Sequence, residues 1–305
     1  MPHRAKTDRW LLLAVSAVSL ALVVGGSFLK PPKSFVSSQV LPPVVINEIH
    51  YHPASGEEGE EYIELYNAGS EPVDLTGWRF SDGILYNFPP GVILPPDSYL
   101  VVGNDPAAVE AAYGITGVLG PFEIGKLADG GERLALEAAD GSVVDKVTYD
   151  DHTPWPESPD GNGASLELIR PDLDNTSPCS WARSHNSGTP GAQNDRYSID
   201  NLSPCITNVS HSPVFPRVSQ QVRVTALVSD DEALTSVMLR YRPQGESNYL
   251  ELPMVDNGLH QGIYTALIPP QSAGKYVEFM VEAVDSVGAA RVAPPGAPGG
   301  VSSET

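Results

Sequence analysis

The chain is short of basic residues, sulfur and aromatic side chains. Its 305 residues include 18 Lys and Arg against 38 Asp and Glu, with 2 Cys, 4 Met and 8% aromatics. A net charge of −20 sets the protein against nucleic acid and anionic membrane surfaces, and favours cations and basic partners. Both cysteines, Cys179 and Cys205, sit in Ser-Pro-Cys triplets, and with no CxxC pair a cysteine-based zinc site has no framework. A glycine-rich phosphate loop is missing, and GASLE around Ser165 falls short of a GxSxG nucleophile elbow. These gaps lead to the expectation of a protein that is not an enzyme and holds no cofactor. Calcium is the one cation its acidic side chains invite.

What is abundant is punctuation. Twenty-nine prolines and 28 glycines break the chain into short apolar runs, the pattern of strands joined by turns, so the fold class is all-β. The length supports two domains, since about 150 residues already bury roughly two-thirds of their unfolded surface. Residues 10–29 carry no charge and follow Arg4, Lys6 and Arg9, which makes residues 1–30 a signal peptide or signal anchor. A proline-rich stalk, residues 31–43, comes next. The remainder is therefore expected outside the cytoplasm, held to the membrane by an uncleaved N-terminal helix or secreted.

The stretch that organises the rest is residues 44–83. Strand candidates begin there at 44–51, 62–67 and 74–81 and continue at 85–88, 98–103, 132–137, 143–149 and 165–169. One helix is expected, capped by Asp105, with Pro106 at its first position and Gly114 at its end. Asn47, Glu64 and Asn67 interrupt apolar strands and need hydrogen bonds, most simply to neighbouring turns. Trp78 is the expected core aromatic, and Gly141 suits a two-residue hairpin turn. After a linker at 196–204, strict alternation at Val222–Val224–Ala226–Val228, Val237–Leu239–Tyr241, Tyr264–Ala266–Ile268 and Val277–Phe279–Val281–Ala283 marks a second domain over 205–293. Residues 294–305 have the composition of a flexible tail.

The runs INEIHYHP, EYIELYNAGSEPVDLTGWRFSDG, GERLALEAADGSVVDKVTYDD, PWPESPDGNGASLELIRP and GTPGAQN together resemble the bacterial lamin-tail domain, an immunoglobulin-like β-sandwich, over residues 44–195. VTALVSDDEALTSVMLRYR and YVEFMVEAVDSVGA resemble the immunoglobulin-like or fibronectin-type modules of bacterial surface proteins. The resemblance implies two immunoglobulin-like β-sandwich domains in tandem after an N-terminal hydrophobic helix. It also implies binding, adhesion or scaffolding at the cell surface, with a protein or an envelope polymer as partner. The alternative it leaves open is the accessory portion of a larger exported enzyme, such as a spore-coat-protein-H-type kinase, whose catalytic module lies elsewhere.

Candidate site residues are few. Glu48, His50 and His52 lie two apart, so on a strand they share a face and offer a minimal metal set. Asp230, Asp231 and Asp285 are candidates for an interdomain calcium site, and Glu57–Glu61 reads as an exposed acidic loop. Cys179 and Cys205 are a disulfide candidate for an oxidising compartment.

Overall fold

A computed structural model describes residues 43–157, 159–258 and 261–294. The expected N-terminal helix lies outside them, as do the stalk up to residue 42 and the tail from 295. Among the described residues no helix is long and apolar enough to cross a membrane. The described chain is all-β.

Its first part contains β1 (Val44–His50), β2 (Tyr62–Asn67), β3 (Val73–Asp74), β4 (Arg79–Asp82), β5 (Tyr86–Asn87), β6 (Ile93–Leu94), β7 (Tyr99–Gly103), β8 (Arg133–Glu137), β9 (Val143–Thr148), β10 (Leu166–Leu168) and β11 (Trp181–Arg183). These form an antiparallel sheet in the order β11-β10-β1-β2-β7, a second in the order β5-β4-β8-β9, and a β3-β6 ribbon. Ile46, Ile49, Ile63, Leu65, Leu166 and Leu168 of the first sheet meet Phe80, Leu134, Leu136 and Val147 of the second in one apolar core. A register shift between Ile46 and Glu48 breaks the period of two in β1. Ile46 and Ile49, three apart, therefore both reach that core while Glu48 faces away from it.

Local chemistry explains where the elements stop. The expected helix is α1 (Pro106–Tyr113): Asp105 accepts from the N–H of Ala107 and Ala108, and Gly114 leaves it in the left-handed region at φ +68°. The single strand expected at 74–81 divides into β3 and β4, which join different sheets. The Asp74 carboxylate binds the Thr76 N–H (2.9 Å) and hydroxyl (2.6 Å), and the chain turns through Gly77. The turn at Gly141 is also longer than expected: Ala138 and Ser142 close it, leaving three residues between them. Trp78 only lines the edge of the core, where Trp155 and Trp181 are the buried indoles.

The second part holds β12 (Cys205–Ser212), β13 (Val222–Ser229), β14 (Leu234–Pro243), β15 (Leu250–Pro253), β16 (Val255–Asp256), β17 (Ile263–Ile268), β18 (Val277–Asp285) and β19 (Ala290–Ala293). They form two antiparallel sheets, β12-β13-β17-β16 and β15-β14-β18-β19, around a core to which Val224, Ala226, Val228, Leu239, Val281 and Ala283 contribute. The alternation read in the sequence is the inward face of these strands.

Cys179 and Cys205 are joined in a disulfide, with Cα atoms 5.7 Å apart and a sequence separation of 26. It links the turn before β11 to the start of β12. A loop of that length contributes about 3.5 kcal/mol in the chain-entropy account. Reduction should therefore lower the thermal midpoint by roughly 7 °C or more, read by calorimetry with and without reductant on the full chain. An unchanged midpoint would show that the bond constrains nothing the fold does not already hold.

Candidate functional site

The outer face of the β11-β10-β1-β2-β7 sheet, the one turned away from the core, carries the polar chemistry. Glu48 of β1 lies directly opposite Glu167 of β10 and Glu64 of β2, so three glutamates stand side by side across adjacent strands. Each is fully buried. The cover is the segment 187–196, SGTPGAQNDR, which crosses the row as a strap. Its backbone is held by the carboxylates: Thr189 N–H donates to Glu48 Oε1 (2.9 Å), Gly191 N–H to Glu64 Oε2 (2.5 Å) and Arg196 N–H to Glu167 Oε2 (2.9 Å). Glu48 Oε1 also accepts from the Tyr62 and Ser165 hydroxyls at 2.7 and 2.5 Å. Asn194 closes the seam, donating to the carbonyls of Asn47 and Leu168 and accepting from the Asn47 amide, which also reaches Glu64.

Three carboxyls so close and so dry cannot all be ionised. Burial raises Glu48 above the usual carboxylate range, against the pull of its hydroxyl and N–H donors. Burial, then the neighbouring Glu48 charge, lifts Glu64 well above that range and Glu167 to about 8. The row can hold protons and bind backbone N–H groups. With every member sealed under the strap, it is a tie between sheet and strap. The sequence reading assigned such a tie to Glu64 but placed its partner in a neighbouring turn; the partner is the distant strap. Glu48 and Glu167 were not read as ties, and the signal available was a lone glutamate in each of three otherwise mostly apolar strands, NEI, IEL and LEL.

The other candidates do not gather into a metal centre. β1 ends at His50, so the shared face of Glu48, His50 and His52 is lost at the last of them. Burial holds His50 down to about 4, hence neutral, and its ring nitrogens meet the Gly163 carbonyl (3.2 Å) and the Tyr113 hydroxyl (2.9 Å). His52 pairs with Asp160 at 2.6 Å. Asp231 is bound by Arg170 at 2.6 Å. Asp285 accepts from Asn201 and from the N–H groups of Val287, Gly288 and Ala289. Asp230 takes the Asp231 N–H, and burial, then Asp231, pushes it up to about 7. Among the described residues, Asp150, Asp151 and His152 are the one group of acidic and histidine ligand atoms lying within 4.8 Å of one another, and their loop is largely exposed. The acidic loop is not uniformly exposed either: Glu61 is buried, accepts the Leu127 N–H at 2.8 Å, and is raised by burial to about 7.

Beyond the strap the same face opens into a cleft. Tyr66 follows Glu64 by two positions in β2, and Tyr99 lies opposite it in β7, so both project on the glutamate side. Their rings pack with centroids 4.8 Å apart. Tyr197, just past the strap, forms another wall, and Asp97, Gln193 and Pro171 complete a cavity of about 260 Å³ floored by Asn47, Asn194 and Leu168.

A two-layered antiparallel unit of this kind, opening on INEIH and YIELYN with a DLTGW turn between its layers, has a counterpart among known families. Residues 37–151 match the Lamin Tail Domain. The lamin-tail match covers β1 to β9 and α1, an immunoglobulin-like module that suggests binding or scaffolding; a second β domain follows it. It stops short of β10, β11 and the strap, which complete the lamin-tail sheet and cover its outer face. Nothing among the curated proteins matches the chain.

Proposed function

We propose that this is an exported, non-catalytic protein that displays the lamin-tail domain and the second β domain at the cell surface for binding, adhesion or scaffolding. The observation that carries the reading is the Cys179–Cys205 disulfide, which belongs to an oxidising compartment. The apolar run at 10–29 and the proline-rich stalk after it supply a route out of the cytoplasm and a spacer. Arg170 adds to the joint between the two parts, reaching the Asp200 carbonyl and Asp231. Two β-sandwiches fixed at their junction present loops and clefts at a defined angle, which suits display better than turnover. The cleft beyond the strap is the ligand site in this reading.

Protease treatment of intact cells tests the display. Loss of the full-length band without lysis, at a dose that spares a cytoplasmic marker, is the expected result. A band protected until the cells are broken would overturn it.

A further inference from the structure

We infer that the cleft beside the strap binds a neutral carbohydrate, seating a sugar ring against Tyr66, Tyr99 and Tyr197 with Asp97 and Gln193 as its polar grips. The inference rests on the binding reading above and names the ligand class for it.

The aromatic walls come from different sources. Tyr66 and Tyr99 are cross-strand partners on a rigid sheet, with centroids 4.8 Å apart. Tyr197 belongs to the segment leaving the strap and is 45% exposed. A pyranose has apolar C–H faces and an equatorial belt of hydroxyls. Its recognition therefore calls for ring faces to stack on and for side chains that both donate and accept.

The polar groups answer that need. Tyr66 donates to Asp97 Oδ1 at 3.1 Å, which leaves Oδ2 of Asp97 to accept from a ligand. Among the described residues, the Tyr99 and Tyr197 hydroxyls and the Gln193 amide make no hydrogen bond within the chain, and all three line the cavity. Asp97 is a non-glycine residue in the left-handed region, φ +50°, held there by its N–H bond to the Asn67 carbonyl at 3.0 Å.

The floor is preorganised. Asn47 and Asn194 are both buried and bonded to each other, to Glu64 and to backbone carbonyls, so the base of the cleft has no orphan group to desolvate. At about 260 Å³ the cavity lies just under the usual range of ligand pockets, roughly 300–1,000 Å³, and takes the end of a glycan rather than a flat epitope. Charge selects among glycans. Asp97 at the mouth of a chain carrying −20 opposes uronic acids and sulfated sugars, which leaves neutral ones.

The test uses the full chain in mild detergent, titrated calorimetrically with chitotetraose, with tetragalacturonate, and with a proline-rich decapeptide. Chitotetraose or, in a parallel run, cellotetraose should bind with Kd below about 1 mM, and Tyr99→Ala and Tyr197→Ala should each weaken binding about tenfold. Tyr197→Ala keeps the test sound if Tyr99→Ala unfolds, because Tyr197 is 45% exposed and belongs to neither apolar core. Tetragalacturonate should not bind. Absence of neutral-sugar binding, or equal binding by Tyr197→Ala, overturns the inference. Saturable binding of the proline-rich peptide, lost in Tyr197→Ala, overturns the ligand class while leaving the binding reading standing. Failure of the full chain to retain any component of the native envelope, sugar or protein, would count against that reading itself.

Discussion

Gly188→Ala should destabilise the protein by about 3 kcal/mol or more. Gly188 opens the strap with φ +105°, in the region that L side chains avoid. A Cβ there would run into the Tyr62 hydroxyl and Glu48 Oε1, the two groups that anchor the centre of the carboxylate row. Neither can retreat. Tyr62 is packed against Val101, Val109 and Val118 under α1, and Glu48 is held by Ser165 and by the strap itself. Gly191 is the internal control: it too has positive φ, +83°, and its N–H binds Glu64, but nothing lies within 4 Å of its Cβ position. Gly191→Ala should therefore show only the backbone cost, about 1 kcal/mol. Chemical denaturation of the two variants side by side decides the point, and equal losses would mean that the strap is not seated on the glutamates.

Stability should fall as pH rises from 6.5 to 9.5, by roughly 5 to 10 °C in thermal midpoint. Glu64 and Glu167 are both raised, Glu167 to about 8, so the folded chain keeps protons that the unfolded chain has already released. A group raised in this way contributes stability that is complete below its ordinary range near 4.5 and is lost as pH climbs through its folded value. Glu61, at about 7, adds to the loss with the same sign. His50 does not interfere, because its folded value is depressed to about 4 and its contribution is lost only on the acid side, as pH falls through that value. Each pH unit crossed with one such proton retained removes about 1.4 kcal/mol.

Glu167→Gln isolates one carboxyl in that slope. An amide there can still accept the Arg196 N–H and can donate to the Thr189 hydroxyl, so both bonds survive the change. The variant should match the parent near pH 4, where Glu167 holds its proton folded and unfolded alike, and exceed it increasingly up to pH 9. A variant that follows the parent's pH curve throughout would show that Glu167 is ionised in the fold.

Part of this was legible in the residues. Asp105, Pro106 and Gly114 are local signals, and α1 begins and ends where they place it, because caps depend on neighbours in sequence. The same holds for β2, whose bounds follow from an apolar run closed at both ends by polar turns. Asn67 behaves as expected, binding the Glu71 and Leu94 carbonyls and the Gly69 N–H. The short strands β6 and β11 were missed, since two or three residues are too few to show a period. The acidic candidates Asp231 and Asp285 looked free in sequence and are engaged in the fold, because their partners Arg170 and Asn201 come from the other side of the junction, while Asp230 takes the N–H of its neighbour Asp231.

By itself the sequence determined the all-β class, the division into two strand-rich parts, and which residues of each regular strand share a face, because alternation and turn chemistry act over a few residues. Tertiary structure alone decided that the outer face of the first sheet is also buried. Glu48 and Glu64 sit on consecutive strands but Glu167 comes from far along the chain, and only pairing in register sets the three in one row. A dry carboxylate row needs N–H donors, and GTPGAQN supplies them because the fold returns that segment across the sheet. The bulge in β1 that turns Glu48 outward, and the cleft left where the strap ends, are likewise outcomes of long-range packing.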